Sequence, residues 1–263
     1  MKKSMRGGVS RLLARWGFRP RSLTPSSAVS SLDGDLYDRD GLITAHNHRF
    51  MEEPVFARAY GRGTVAAEGQ DFRNQWRIHV GLWAAWCANR LEGDYVECGV
   101  SWGCLSSAIM ESLDWNRGSR TFYLLDTFSG VDESLLTEVE QDHSTAHYRF
   151  CKESGAYALD VESVRRNFSQ WRGATVIQGR VPDTLVEVKA EKIAFLHLDM
   201  NCATPEIAAA EALWARIVPG GMILLDDFAY KGFEPQYEAF QEFAERHDQR
   251  ILSLPTGQGL MIR

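Results

Sequence analysis

Residues 94–104, DYVECGVSWGC, decide the fold. Tyr95-Val96-Glu97-Cys98 reads as a short buried strand that runs into a turn and then into a helix. Gly99 and Gly103 punctuate the turn, and the acid Glu97 stands just before them. A strand that delivers a glycine turn onto a helix N-terminus builds a ligand site. Glycines admit a ligand close to the backbone, and the free N–H groups and the helix dipole favour negative charge. The spacing E-x-G-x-x-x-G is not the dinucleotide fingerprint G-x-G-x-x-G, which argues against a nicotinamide dehydrogenase.

Downstream, strand and helix patterns alternate. Strands are expected at TFYLLD (121–126), ATVIQ (174–178), IAFLHLD (193–199) and MILLDD (222–227). Helical spacing falls at 104–113, 161–171, 205–217 and 236–246, the third of these ending in a turn at Pro219-Gly220-Gly221. ILSLP (251–255) and GLMIR (259–263), joined by Thr256-Gly257-Gln258, read as a hairpin. The pattern predicts an α/β fold, a doubly wound, seven-stranded, mostly parallel sheet covered on both faces.

Upstream lie two other regions. Residues 1–38 form a basic tail expected to be disordered; 1–32 carry Lys2, Lys3, Arg6, Arg11, Arg15, Arg19 and Arg21 and no acid. Within it VSRLLARWGF has the spacing of a short amphipathic helix, which leaves membrane-surface docking as an alternative. Residues 39–92 read as an N-terminal helical extension or lid, and 93–263 as the ligand-binding domain. In the extension, 71–91 has Asp71 as N-cap and Phe72, Trp76, His79, Val80, Trp83, Ala84 and Cys87 at helical intervals, the pattern of a core-packed helix. Trp76, Trp83 and Trp86 are expected in the core.

With 263 residues, the chain has room for one sizeable domain and an appendage. Its net charge of −6 argues against a nucleic-acid partner, because phosphate neutralisation needs a basic surface. The five cysteines are odd in number and form no C-x-x-C, which fits a reduced, cytoplasmic protein. No apolar run approaches the roughly 18–20 residues that span a bilayer.

In an open α/β sheet, ligands bind beyond the carboxyl ends of the strands. Acids stand at four of the five expected parallel strand ends: Glu97, Asp126, Asp199 and the pair Asp226-Asp227. Asp126 follows Gly99 by 27 residues, where a carboxylate can accept from both hydroxyls of a ribose. Asp199, Asp226 and Asp227 end two strands that should be neighbours. Three carboxylates that close repel unless a cation or a proton separates them, and oxygen-only ligands suit a hard ion such as Mg²⁺ or Ca²⁺. The alternative for each acid is a helix cap.

ECGVSWG, LLDTFSG and HLDMNCATPEIAAAEALWARIVPGGMILLDDF together resemble a class I S-adenosylmethionine-dependent methyltransferase, within it the macrocin/mycinamicin O-methyltransferase family, over roughly residues 91–230. The resemblance implies that Glu97, Gly99 and Gly103 line the methionine and ribose end of S-adenosyl-L-methionine. It implies that Asp126 and Thr127 hold the ribose, and that Gln178 and Gly179 approach the adenine. Asp199, Asp226 and Asp227 match positions that bind Mg²⁺ and place the acceptor hydroxyls. The expected reaction is methyl transfer to a hydroxyl, one of a vicinal pair, on a small molecule such as a sugar of a natural product.

Asp199 is the first candidate for the base; His143 and His147, in the loop after the second strand, are the others, and His197 is given a supporting place at most. The expected partner is the small-molecule acceptor, with a homo-oligomer left open. Two rivals remain: a non-catalytic S-adenosylmethionine-binding protein, and a hydroxylase-type enzyme on the same fold. The second would need an iron site, usually two histidines and a carboxylate, whereas these strand ends offer carboxylates.

Overall fold

The computed structural model describes residues 36–141, 149, 151, 153–155 and 157–263. The basic tail up to residue 35, with its amphipathic stretch, lies outside the described residues, as do His143 and His147. The chain divides into a small unit, 1–38 with 43–47, and a large one, 39–42 with 48–263. The described part of the small unit is most of a two-stranded ribbon, β1 (Tyr37–Arg39) and β2 (Leu42–Thr44). Asp40-Gly41 turns it with φ of 51° and 74°, the pairing that two-residue hairpins favour.

The large unit is built on a seven-stranded sheet. Its strands are β3 (Asp94–Cys98), β4 (Phe122–Asp126), β5 (Ala174–Gln178), β6 (Ile193–Leu198), β7 (Ile217–Leu225), β8 (Ile251–Ser253) and β9 (Gly259–Ile262). Their order is β5-β4-β3-β6-β7-β9-β8. The first five are parallel; β9 runs antiparallel to β7, and β8 to β9. From β3 the chain winds outward through β4 and β5, then returns to the other side of β3 at β6. This reversal puts the switch in strand order between β3 and β6, where ligands bind in such sheets.

Alternate strand residues feed two cores. Tyr95, Phe122, Leu124, Phe195 and Leu224 pack under α1 (Pro54–Ala66), α2 (Gln75–Ala88), α3 (Cys104–Ser112) and α4 (Val161–Phe168). Val96, Cys98, Leu125, Leu196, Leu198 and Leu225 pack under α5 (Ala203–Trp214) and α6 (Glu234–Arg246). Side chains that alternate across a pleat explain why buried parallel strands read as continuous apolar runs. No helix among the described residues is long and apolar enough to cross a membrane.

Three local expectations are corrected. Pro219-Gly220-Gly221 is not a turn before β7 but part of it. There Gly220 takes a φ of +82° and the β6–β7 register shifts, so the glycines accommodate a bulge. Asp71 does not cap α2, which begins four residues later. Its Oδ1 instead accepts from Arg73 N–H at 2.8 Å and from the Tyr60 hydroxyl. The tryptophan stripe of α2 is also not the core face: Trp83 and Trp86 are about half exposed, at 49% and 50%. The buried face is Gln75, Ile78, Gly81, Ala84, Ala85 and Ala88, small residues that let the helix approach its neighbours closely.

Candidate active site

The glycine turn and the strand beside it build one half of the site. After Cys98 the chain passes through Gly99 (φ +91°) and Ser101 (φ +48°) to Gly103 (φ +74°), which stands at the N-cap of α3. A Cβ on Gly99 would lie 1.8 Å from the carbonyl oxygen of Asp199, so glycine here lets the ends of β3 and β6 touch. A Cβ on Gly103 would meet the Phe168 ring at 2.5 Å. Gly103 therefore serves packing between α3 and α4. Asp126 fastens the turn: its Oδ2 accepts from Val100 N–H and Ser101 N–H, both at 2.8 Å, and Oδ1 from Phe128 N–H at 2.6 Å. Burial pushes its pKa up in spite of these bonds. About one of the four lone-pair positions of a carboxylate remains for a ligand.

A cleft of about 730 Å³, open to solvent, runs across these strand ends. Gly99, Asp126, Thr127, Gly179 and Asp199 line it, as the sequence leads one to expect. Glu97, Gly103, Gln178, Asp226 and Asp227 do not. Thr127 works within its own turn, its Oγ1 donating to Gly130 O at 2.7 Å. Tyr157, Arg180 and Asn201 also line the cleft and went unnoticed in the sequence, because neither spacing nor strand position marks them. The Tyr157 hydroxyl lies 3.2 Å from Asn201 Oδ1, and Asn201 Nδ2 donates to Asp199 Oδ1 at 3.0 Å.

The other half gathers around β6 and β7. Glu97 and His197 are register partners on neighbouring strands, so their side chains stand on the same face. His197 Nδ1 lies 2.9 Å from Glu97 Oε1, and both residues are 2% exposed. His197 Nε2 faces Asp226 Oδ1 at 3.6 Å, beyond hydrogen-bonding length. Burial would lower the histidine pKa, but the Asp226 and Glu97 carboxylates outweigh it and raise the value to about 10. His197 thus stands beside the carboxylates, in contact with Glu97 and facing Asp226. It offers one ligand atom in a cluster with Asp199 and Asp226, all within 4.8 Å of one another. The signal was legible in retrospect, since His197 and Asp199 are two residues apart and so share a face.

Charge is unevenly balanced in this cluster. Burial, then Asp226 and Asp227, push the Asp199 pKa well above the usual carboxylate range. Burial first and then Asp226 raise Asp227 to about 6, against the pull of Arg77. Burial acts on Asp226 in the same sense, but the Arg77 guanidinium and His197 reverse it and hold the carboxyl below its ordinary range. Asp227 Oδ2, Glu97 Oε2 and His197 Nε2 are buried and take part in no hydrogen bond. Orphaned carboxylate oxygens on Asp227 and Glu97 beside an excess of carboxylates suit a hard divalent cation, and the side chains whose ligand atoms lie close enough together to share one are His197, Asp199 and Asp226. A two-histidine iron site is not matched, because the cluster among the described residues holds one histidine.

Comparison with known proteins bears on this arrangement. Among solved structures, the O-methyltransferase NovP superimposes with a TM-score of 0.60 at 20% identity, over 71% of this chain and 79% of that one. The calicheamicin methyltransferase CalS11 does so with a TM-score of 0.57 at 17% identity, over 87% and 98%. Both share the Rossmann-like methyltransferase fold. A tetracenomycin-C rhamnosyl 4'-O-methyltransferase of Streptomyces olivaceus is 29% identical over 148 residues, and the mycinamicin III 3''-O-methyltransferase of Micromonospora griseorubida 24% identical over 162. The matches span 54% and 59% of this chain, and 55% and 61% of the length of those relatives. The profile of the family described as macrocin-O-methyltransferase (TylF) matches residues 63–252, well over half of the chain. The chain belongs to the macrocin O-methyltransferase family.

Proposed function

We propose that the protein is an S-adenosyl-L-methionine-dependent, Mg²⁺-assisted O-methyltransferase acting on a hydroxyl of a small molecule, one of a vicinal pair on a sugar of a natural product. One observation carries the reading: the cleft lined by the glycine turn, Asp126 and Gly179 opens at Asp199, beside the carboxylate cluster. Donor and acceptor would then meet where the two halves of the site join. The named activities of the relatives, transfer to sugar hydroxyls, point the same way.

The sulfonium of the cofactor supplies the methyl group, and the protein has to position the acceptor and take its proton. Asp126 and Thr127 would face the ribose, and Gly179 the adenine. Glu97 would act from behind the turn through His197, as its side chain does not line the cleft. Asp199, Asp226 and Asp227 would hold Mg²⁺, which lowers the pKa of a chelated hydroxyl. Asp199 is the base in this reading, because among the three aspartates it is the one that lines the cleft where the acceptor would lie. His143 and His147, which follow β4 in the sequence, stay as alternative bases. Residues 39–92 would serve as the extension that covers the cluster.

Calorimetric titration with S-adenosylhomocysteine, with and without Mg²⁺, tests the first step. Binding in the micromolar range is expected, about 8 kcal/mol. Its absence under both conditions would sink the cofactor assignment. A screen of sugar-bearing diols with methyl-labelled cofactor then tests the transfer, and failure with every acceptor despite tight binding would favour a non-catalytic binding protein.

A further inference from the structure

The acidic half of the site contains a cation that belongs to the chain itself. Arg77 projects from the first turn of α2 to the far ends of β6 and β7. Its Nη2 donates to the main-chain oxygen of Asp226 at 2.7 Å and to Asp226 Oδ2, and lies 3.3 Å from Asp227 Oδ1. Nε faces Asp40 Oδ2 at 3.9 Å, and the Tyr230 ring covers the guanidinium at 5.1 Å. The side chain is 13% exposed. One guanidinium nitrogen, Nη2, makes all of the contacts to Asp226 and Asp227, and a largely buried side chain so engaged is held more firmly than a surface cation.

Arg77 does not satisfy the cluster. Each oxygen of Asp226 has a partner, since Gln258 Nε2 donates to its Oδ1 at 2.9 Å while Arg77 takes Oδ2. Asp227 is not: its Oδ2 is buried without a hydrogen bond, and so is the Nε2 of His197. Asp199 adds a third carboxylate whose charge Arg77 offsets only at longer range. The acids that suit a divalent ion are therefore partly occupied already, by a cation that cannot diffuse away.

We propose that Arg77 is a tethered cation that competes with a divalent metal ion for Asp226 and Asp227, so that α2 sets the metal affinity of the site. The proposal rests on the Mg²⁺ reading above. Without metal, Arg77 offsets the repulsion between the two aspartates. With metal, two cations share the same pair of carboxylates, so the guanidinium either stays and repels the ion or opens a buried charge pair, which is costly. The affinity for Mg²⁺ is lowered by that cost, and metal binding and the seating of α2 are coupled by the same factor in both directions.

The test uses Mg²⁺ alone as the probe, titrated calorimetrically into the chelator-treated full chain. Arg77→Met is expected to bind Mg²⁺ about tenfold more tightly than the natural protein, within the span usual for coupled sites. Its melting temperature should rise more on adding Mg²⁺ than that of the natural protein does. A folded Arg77→Met with equal or weaker Mg²⁺ affinity overturns the proposal; binding by the natural protein would still leave the metal reading standing. Absence of binding in both removes the metal reading and this inference together. Should Arg77→Met fail to fold by circular dichroism, Arg77→Gln decides. Glutamine removes the charge and keeps hydrogen-bond donors, so a gain of about tenfold supports the proposal and no gain overturns it.

Discussion

The two halves of the site are built on different principles. The cofactor half, at β3 and β4, is a matter of backbone. Glycines open a turn, and one carboxylate, Asp126, collects the N–H groups of Val100, Ser101 and Phe128. The acidic half, at β6 and β7, is a matter of side chains that come from far apart. Glu97 reaches His197 across 100 residues of sequence, and Arg77 reaches Asp226 across 149. The first half binds by shape and satisfied backbone polarity. The second carries unsatisfied atoms and unbalanced charge, the condition of groups held ready for a ligand. They join along the ends of β3 and β6, where Gly99 abuts the main chain of Asp199 and Asp199 N–H donates to Cys98 O at 2.9 Å.

Four measurements break or sharpen this division. The largest effect is expected at Asp199. Asp199→Asn should lower methyl transfer by about 10³-fold, the middle of the range that a general base contributes, with S-adenosylhomocysteine affinity unchanged within about threefold. A parallel fall in cofactor affinity would show that the halves do not work separately. Next comes the seam itself. Gly99→Ala combines a left-handed backbone with a Cβ 1.8 Å from Asp199 O, and should cost about 3 kcal/mol in urea unfolding. A loss under about 1 kcal/mol would mean that the strand ends part freely.

Asp126→Asn probes the cofactor half alone. An amide offers one acceptor oxygen where the carboxylate offers two, so part of the turn loses its anchor. Affinity for S-adenosylhomocysteine should drop about 30-fold, near 2 kcal/mol, while Mg²⁺ binding stays as it was. The smallest effect is a pH dependence in the acidic half. Glu206 Oε1 accepts from Met200 N–H at 2.9 Å, and burial first and then Asp227 push its pKa from 4.5 to about 8. Between those values the folded chain keeps a proton that the unfolded chain has released, so stability falls as pH rises through the window. Glu206→Gln, always neutral, should flatten that slope when melting temperature is followed in EDTA. An unchanged slope would assign the dependence to another group.

Much of the fold was legible because its signals are local. Alternating strand and helix patterns, the glycine turn after Cys98 and the acids at strand ends all depend on neighbours in sequence. The order of strands came from the structure. The Pro219-Gly220-Gly221 bulge was misread because the same residues make turns and bulges, and only pairing with β6 distinguishes them. The tryptophan stripe of α2 was misread because hydrophobicity does not say which face meets the sheet. There the close approach of α2 and α3 admits Gly81 but not a large ring; a Cβ on Gly81 would already sit 2.4 Å from Leu105.

The sequence by itself determined the fold class, the turn at Gly99 and the acids at the strand ends, Asp126, Asp199 and Asp226-Asp227. Those are properties of periodicity and strand position, which a single stretch of chain carries. Tertiary structure alone decided what faces the carboxylates. Register put Glu97 against His197, and the packing of α2 on the sheet brought Arg77 to Asp226 and Asp227. Electrostatic balance at a site is a sum over groups within a few ångströms, and no local pattern in sequence records which distant groups those will be.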